Sequence, residues 1–569
     1  MAGKRLTPMD AMFLYGETAD TMMHVGGLLP FSLPPDAPED FLRSLMDEIR
    51  TSTVVQPPFT YKLKTPGFLL NPVHSWIEDP DFDIEYHVRR SALPHPGDER
   101  ELGILVSRLH SNALDLTRPP WEMHLIEGLE GDRFAFYMKF HHSLVDGYSA
   151  MQLLIRSLSP DPDSRAEDFF FALPPARRER KPPESRSLLA DAGTILGRAL
   201  TVTKSVPELA TSLVKLQVRR DGEFRDLISS YEAPHSSLNA KIGRTRRFAT
   251  QQYSLARLGR ITKASGATLN DVVLTICGGG LRRFLDEAGE LGEKPLIAFL
   301  PVNVRPKGDA GGGNAVGAVL ATMGTDIEDP MERLEAVSRS TRQAKRRLVN
   351  LPMESVLAYS AMLMAPSATQ VLAALTGVPT PIPFTFNLCV SNVPGPRHPL
   401  YFRGARLEAN YPLSIPIHGM ALNITCQSYA DTLNFGFLGD RQALPHLQRL
   451  AVYTGEELER LEAALGLAEP APTERCAEPA AAEAEAPGEA GVAGESEMPA
   501  SSARPARKTS AKRTPAKKAT ATKATAKKAS AKRATATKAA AKRATATKAT
   551  PTTGAAKKAT TKKAAGGAS

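Results

Sequence analysis

Apolar residues recur through the first 467 positions and then nearly stop. Within that stretch, Phe134-Ala-Phe-Tyr-Met-Lys-Phe140 is almost continuously apolar and rich in aromatics, which predicts a buried strand running directly into His141. Ala150-Met-Gln-Leu-Leu-Ile-Arg-Ser-Leu158 then carries its apolar residues at helical spacing. The residues between lie on a tight strand-to-helix connection, a common place for exposed functional groups on a rigid frame. Further strands are predicted at Leu296–Val302, Phe384–Ser391 and Leu433–Leu438.

Leu173-Pro-Pro-Ala-Arg-Arg-Glu-Arg-Lys-Pro-Pro183 breaks the pattern with proline and charge. Beyond it Leu189, Ala192, Leu196 and Ala199 share a helical face, Pro207 interrupts, and Leu209, Leu213 and Leu216 resume. This predicts a helical connector over 181–235 between two folded regions, 1–180 and 236–467. Arg198, Lys204, Lys215, Arg219 and Arg220 make it partly basic. Such a helix either packs on its own domains or lies on an anionic membrane.

Charge changes the picture at the C-terminal end. The 569 residues carry a net +10, but residues 501–569 alone hold 20 Lys/Arg and no Asp or Glu. Residues 468–500 hold eight Glu and one Arg, so the folded part is only −3. Composition predicts an acidic disordered linker over 468–503 and a basic low-complexity tail over 504–569. In the tail, Lys532-Arg-Ala-Thr-Ala-Thr-Lys-Ala539 recurs unchanged at Lys542–Ala549. Charge of this density binds polyanions with steep salt dependence, and without aromatics it has no means of stacking on bases. The other reading is a solubilising spacer.

Cys277, Cys389, Cys426 and Cys476 form neither a disulfide framework nor a zinc spacing, and are expected to be inert thiols in a reducing cytoplasm. The N-terminus lacks the apolar core of a signal peptide, and no stretch approaches the ~20 apolar residues that span a bilayer. Any membrane contact is therefore expected to be peripheral. Gly278-Gly-Gly280 and Gly311-Gly-Gly313 lack the flanking residues of a phosphate-binding loop, so no nucleotide hydrolysis is assigned.

The chemistry centres on His141-His-Ser-Leu-Val-Asp-Gly147. Histidine is the side chain best suited to take and return a proton near neutral pH. His142 can accept the proton of an attacking hydroxyl. Asp146 can hold the loop through a buried hydrogen bond or an arginine, and Gly147 permits a close turn. By these residues alone, a pair of core histidines is an equal reading.

Around this motif the chain resembles the bacterial wax ester synthase/diacylglycerol acyltransferase family, itself related to chloramphenicol acetyltransferase and peptide-synthetase condensation domains. The resemblance covers roughly residues 5–465. It rests on Leu6-Thr-Pro-Met-Asp-Ala-Met-Phe13, Met23-His-Val-Gly-Gly27, Asp115-Leu-Thr-Arg-Pro-Pro-Trp121 and His141–Gly147. It continues through Leu269-Asn-Asp-Val272, Pro301-Val-Asn-Val-Arg-Pro306, Ser391-Asn-Val-Pro-Gly-Pro396 and His418-Gly-Met-Ala-Leu-Asn-Ile424. Where the family often has Pro-Leu-Trp, this chain has Pro119-Pro-Trp121.

The resemblance implies an α/β fold of two chloramphenicol-acetyltransferase-like domains, each a mixed sheet with flanking helices. It implies transfer of a long-chain acyl group from acyl-CoA, a substrate rather than a cofactor, to diacylglycerol or a long-chain alcohol. His142 would be the general base, with His141 shaping the site and Asp146 structural. Asn270, beside Asp271, would steady the oxyanion; its alternative is a helix N-cap. Arg305 would pair with Asp146 or stand as a solvated charge, and Ser391 and Asn392 border a turn. The protein would be cytoplasmic, at the inner membrane face or a lipid inclusion. The tail resembles those of linker histones and bacterial histone-like proteins. Two rival readings are a condensation enzyme acting on carrier-bound substrates and a non-catalytic polyanion- or lipid-inclusion-binding protein on the same scaffold.

Overall fold

The computed structural model describes residues 4–6, 8–51, 54–65, 74–145, 147–174, 232–303, 316–349 and 384–467, with Ile228, Val356, Tyr359, Ser360 and Leu363. Asp146, Arg305, the glycines 311–313, nearly all of the predicted connector and everything from 468 onward lie outside the described residues.

Two large mixed sheets organise the described chain. The first takes β2 (His24–Ser32), β5 (Val88–Ala92), β6 (Trp121–Leu129) and β7 (Arg133–His141) from the N-terminal half. Its far edge is completed by β12 (Tyr401–Phe402), β13 (Ala405–Leu407) and β14 (Tyr411–Leu413), the last two both antiparallel to β2. The second sheet runs β10 (Val316–Thr322), β9 (Ile297–Asn303), β11 (Leu388–Val393), β15 (Leu422–Tyr429), β16 (Thr432–Asp440) and β8 (Arg246–Ser254). A small sheet joins β1 (Lys4–Arg5), β4 (Ser75–Glu78) and β3 (Tyr61–Leu63). The strands expected at 134–140, 296–302, 384–391 and 433–438 correspond to β7, β9, β11 and β16.

Strand β7 is buried on both faces, which is why its sequence reads as an apolar run rather than an alternation. Phe134, Phe136, Met138 and Phe140 point into a core with Leu45, Met46 and Ile49 of the Phe41–Thr51 helix and Met151 and Leu154 of the Gly147–Arg156 helix. Ala135 and Tyr137 point the other way, against Phe248 of β8, Leu413 of β14 and Leu438 of β16. The N-terminal sheet thus seats directly on strands from the second half of the chain.

The Gly278–Gly280 run lies inside the Leu269–Glu287 helix, where each missing side chain makes room for a neighbour. A Cβ on Gly278 would sit 2.0 Å from the Met323 carbonyl oxygen, one on Gly279 2.3 Å from the Glu457 side chain, and one on Gly280 2.9 Å from Thr454 Oγ1. Glu457 is paired there with Arg333, which is fully buried and also donates to the Ile327 and Glu328 carbonyls. The glycines are therefore a packing surface for the Leu447–Ala464 helix and the 323–333 segment.

Gly278→Ala is expected to destabilise the protein by about 1–3 kcal/mol, because backbone cannot yield as a side chain does. Gly259→Ala, in a helix where a Cβ meets nothing within 4 Å, is expected to be neutral or to stabilise by up to about 1 kcal/mol. Urea unfolding of the two variants beside the parent checks the contrast in sign.

Candidate active site

Strand β7 ends at His141, and the chain turns sharply through Ser143, Leu144 and Val145 before the Gly147–Arg156 helix begins. Three backbone bonds fix the turn. His141 N–H donates to the Pro120 carbonyl at 2.9 Å, His142 N–H to the Met23 carbonyl at 2.9 Å, and Leu144 N–H back to the His141 carbonyl at 2.9 Å. The Pro119-Pro-Trp121 motif is thus a support for the turn. Pro120 supplies the carbonyl, and Trp121 is fully buried with its indole N–H on the Phe59 carbonyl at 2.9 Å. The Met23–Gly27 motif has a matching reason. His24 is the register partner of His141, and a Cβ on Gly26 would meet the Met138 carbonyl at 2.7 Å.

The two histidines differ sharply in surroundings. His141 is fully buried, and both ring nitrogens are engaged. Ser143 N–H reaches Nδ1 at 3.2 Å and Ser143 Oγ lies 2.5 Å from it, while Nε2 lies 2.5 Å from Glu17 Oε2. The backbone donor makes Nδ1 an acceptor, so Nε2 carries the proton and donates it to the Glu17 carboxylate. Both ring nitrogens of His141 are therefore occupied within the fold. His142 is only half-buried, and its ring stacks on Phe13 with centroids 3.9 Å apart and planes 17° from parallel. Of the pair, it is the more exposed histidine. Glu17 was not singled out by the sequence, since it sits 124 residues from its partner in an unremarkable Gly-Glu-Thr stretch.

Asn270 and Asp271 open the Leu269–Glu287 helix. The N-cap is Thr268, in a capping box with Asp271, so the alternative reading of Asn270 as the cap is corrected. Asp271 accepts from Thr268 N–H at 2.9 Å and from Thr341 Oγ1 at 2.6 Å, tying the helix start to the Pro330–Val349 helix. Asn270 is exposed, and its Oδ1 accepts from Asn392 Nδ2 at 2.7 Å. Spending the oxygen on Asn392 turns the amide N–H bonds of Asn270 elsewhere. The structure thus gathers the site residues into two groups: His141, His142 and Gly147 at the end of β7, and Asn270, Asp271 and Asn392 where β11 meets its covering helix. Asp146 and Arg305 lie outside the described residues.

Behind the turn lies a buried polar cluster on the second face of β7. His24 Nε2 donates to the His110 carbonyl at 3.0 Å, and His110 Nδ1 lies 2.8 Å from the Tyr137 hydroxyl. Burial, reinforced by the Lys139 charge, holds His24 well below the usual histidine range; burial and the neighbouring His24 do the same for His110. Lys139 is fully buried, donating to the carbonyls of Leu109 at 3.2 Å and Asn112 at 3.0 Å, and 3.1 Å from Glu122. Burial alone would raise the Glu122 carboxyl, but His124, Lys139 and Arg89 outweigh it and bring it to about 2. Cys277, Cys389 and Cys426 are free and buried, and burial raises all three thiols, Cys389 to about 12. Among the described residues, no group of three or more His, Cys, Asp or Glu is placed to hold a metal ion.

The neutral pair sets a direction for stability. The unfolded chain takes up protons on His24 and His110 near pH 6.5, whereas the folded chain does so only at much lower pH. Stability is therefore expected to fall as pH drops below about 6.5, by up to about 1.4 kcal/mol per unit for each histidine. Urea midpoints at pH 7.5 and 5.5 measure the slope, which His24→Gln should reduce.

Comparison with known proteins agrees with the motif's setting. The wax ester synthase/diacylglycerol acyltransferase catalytic domain model matches residues 6–273, and the WS/DGAT C-terminal domain model matches residues 312–462. A Mycobacterium tuberculosis protein named as a diacylglycerol O-acyltransferase is 55% identical over 489 residues, covering 82% of this chain and 98% of its own. The O-acyltransferase WSD of Acinetobacter baylyi is 38% identical, covering 80% of this chain and 96% of its own. The solved wax ester synthase/diacylglycerol acyltransferase of Marinobacter aquaeolei superposes with a TM-score of 0.64 at 37% identity, over 82% of this chain and all of that one. The chain belongs to the wax ester synthase/diacylglycerol acyltransferase family of O-acyltransferases.

Proposed function

We propose that this protein transfers a long-chain acyl group from acyl-CoA to the hydroxyl of diacylglycerol or a long-chain alcohol, yielding triacylglycerol or wax ester. The observation that carries the reading is the division of labour in the histidine pair. His141 is locked between Ser143 and Glu17, while His142 is held by its own backbone with its ring half-buried on Phe13. His142 accepts the hydroxyl proton as the oxygen attacks the thioester carbonyl. The tetrahedral oxyanion collapses, the carbon–sulfur bond breaks, and His142 returns the proton to the departing thiolate. The Asn270 amide, turned away from Asn392, is the donor we assign to the oxyanion. Asp146 is assigned a supporting rather than a proton-carrying role. A thiolate leaves readily, so no covalent acyl-enzyme is needed, and the scheme needs no cofactor.

No helix among the described residues is long and apolar enough to cross a membrane. Both lipid substrates reside in membranes or inclusions, so contact with that phase is proposed to be peripheral. The tail, with 20 Lys/Arg over 501–569, is proposed to bind polyanionic surfaces without sequence preference.

His142→Ala is expected to lower kcat by about 10²–10⁴-fold, the scale of general-base loss, with the urea midpoint unchanged. Labelled palmitoyl-CoA offered hexadecanol and diacylglycerol in competition reads both rate and acceptor preference; wild-type rates in the variant would overturn the assignment. Glu17→Gln replaces the carboxylate, which can only accept, with an amide that can also donate to Nε2, so the His141 tautomer is no longer fixed, and is expected to lower kcat about tenfold or more. Truncation after residue 470 is expected to abolish salt-sensitive pelleting with anionic vesicles and retention on DNA.

A further inference from the structure

One turn of chain serves both histidines. Glu17 meets His141 Nε2, and Met23, six positions on, offers the carbonyl that receives His142 N–H. Between them Thr18 knots the segment: its N–H donates to the Thr21 carbonyl at 3.0 Å, and its Oγ1 accepts from Thr21 N–H at 2.9 Å. This turn precedes β2, so the ladder does not hold it. Its outer anchor comes from the other half of the chain.

Arg246, the first residue of β8, donates from Nη2 to the Asp20 carbonyl at 2.6 Å. Its Nη1 donates to the Gly243 carbonyl at 2.6 Å and lies 3.8 Å from Asp440 Oδ1. Asp440 is itself fixed by N–H donors from Gly243 at 2.8 Å, Gln442 at 2.9 Å and Ala443 at 3.0 Å. The Arg246 backbone N–H donates to Ser111 Oγ at 2.8 Å, beside the helix that carries His110. The guanidinium is only 2% exposed, and burial draws its pKa down to about 10. Removing a guanidinium from water is costly, and an apolar side chain would fill the same volume at less expense. What the planar fork adds is direction, with one arm on the rigid 243–440 corner and the other on the 17–23 turn.

We propose that Arg246 is a positioning residue for acyl transfer: through the Asp20 carbonyl it sets the turn that orients both His141 and His142. The second half of the chain thereby determines how the first half presents its base. This inference rests on the reading of His142 as the base.

The test uses the full chain. In Arg246→Lys the charge is kept, but the ammonium lacks the planar fork that holds the Asp20 and Gly243 carbonyls in fixed directions. In Arg246→Met the side chain keeps apolar bulk but donates to neither carbonyl, while Asp440 keeps its backbone donors from Gly243, Gln442 and Ala443. Both are expected to lose about tenfold or more in kcat, with KM for palmitoyl-CoA and hexadecanol within twofold, and with lysine retaining more activity than methionine. In a Glu17→Gln background, Arg246→Lys should cost less than threefold further, since both act through the 17–23 turn. Hydrogen exchange supplies a readout independent of turnover: the amides of 17–24 and of His142 should exchange faster in Arg246→Lys while those of β15 and β16 stay protected. Unchanged kcat in a folded variant, a loss seen only in KM, fully multiplicative effects with Glu17→Gln, or unchanged exchange at 17–24 would each overturn the proposal. Inactivity of the parent protein with every acyl-CoA and alcohol would instead overturn the functional reading, and the exchange result would still decide whether Arg246 holds the turn.

Discussion

The site depends on strand β7 being buried on both faces at once. A strand with one wet face can slide or fray at its end, whereas β7 buries Phe134, Phe136 and Phe140 on one face and Tyr137, Lys139 and His141 on the other. Register is then unforgiving: a slip of one residue would drive Lys139 into the phenylalanine core. His141 consequently emerges at a defined height, opposite His24, with Pro120 on one neighbouring segment and Met23 on the other already placed to receive two successive N–H groups. The histidine turn is the end of a well-indexed ladder.

The strand and the helix around the histidine pair were legible because burial and helical spacing write themselves locally. The apolar run at 134–140 and the spacing at 150–158 need no knowledge of the rest of the fold. The difference in surroundings between His141 and His142 was not legible from residues alone, because it arises from Glu17 and Ser143 on one side and Phe13 on the other. The role of Thr268 as helix cap is written in the sequence, since a threonine three residues before an aspartate is a capping-box pattern. The glycines at 278–280 are another case. Their lack of a phosphate-loop context was visible, but their actual neighbours, Met323, Glu457 and Thr454, come from remote parts of the chain.

Charge is used differently in the two halves. Behind the histidines, Lys139, Glu122, His24 and His110 form a buried set in which backbone carbonyls and hydroxyls absorb donors that water would otherwise take. Keeping His24 and His110 neutral adds no further charge to a cluster that already buries the Lys139 ammonium beside Glu122. In the second half the Arg333–Glu457 pair is equally buried, yet it packs helices and touches no motif. The same physics serves chemistry in one place and architecture in the other.

Strands β12, β13 and β14 have a consequence for how the chain is made. They come from residues 401–413 but complete the edge of a sheet whose other strands end at residue 141. On a ribosome, β2 therefore waits, with one row of backbone donors and acceptors uncovered, until some 260 further residues have been polymerised. At ~5–20 residues per second that is an interval on the order of tens of seconds, long compared with the formation of a hairpin. An uncovered edge of this kind invites pairing with a second nascent chain. The histidine turn at the end of β7 thus reaches its final setting late, when the last third of the protein folds back over the first.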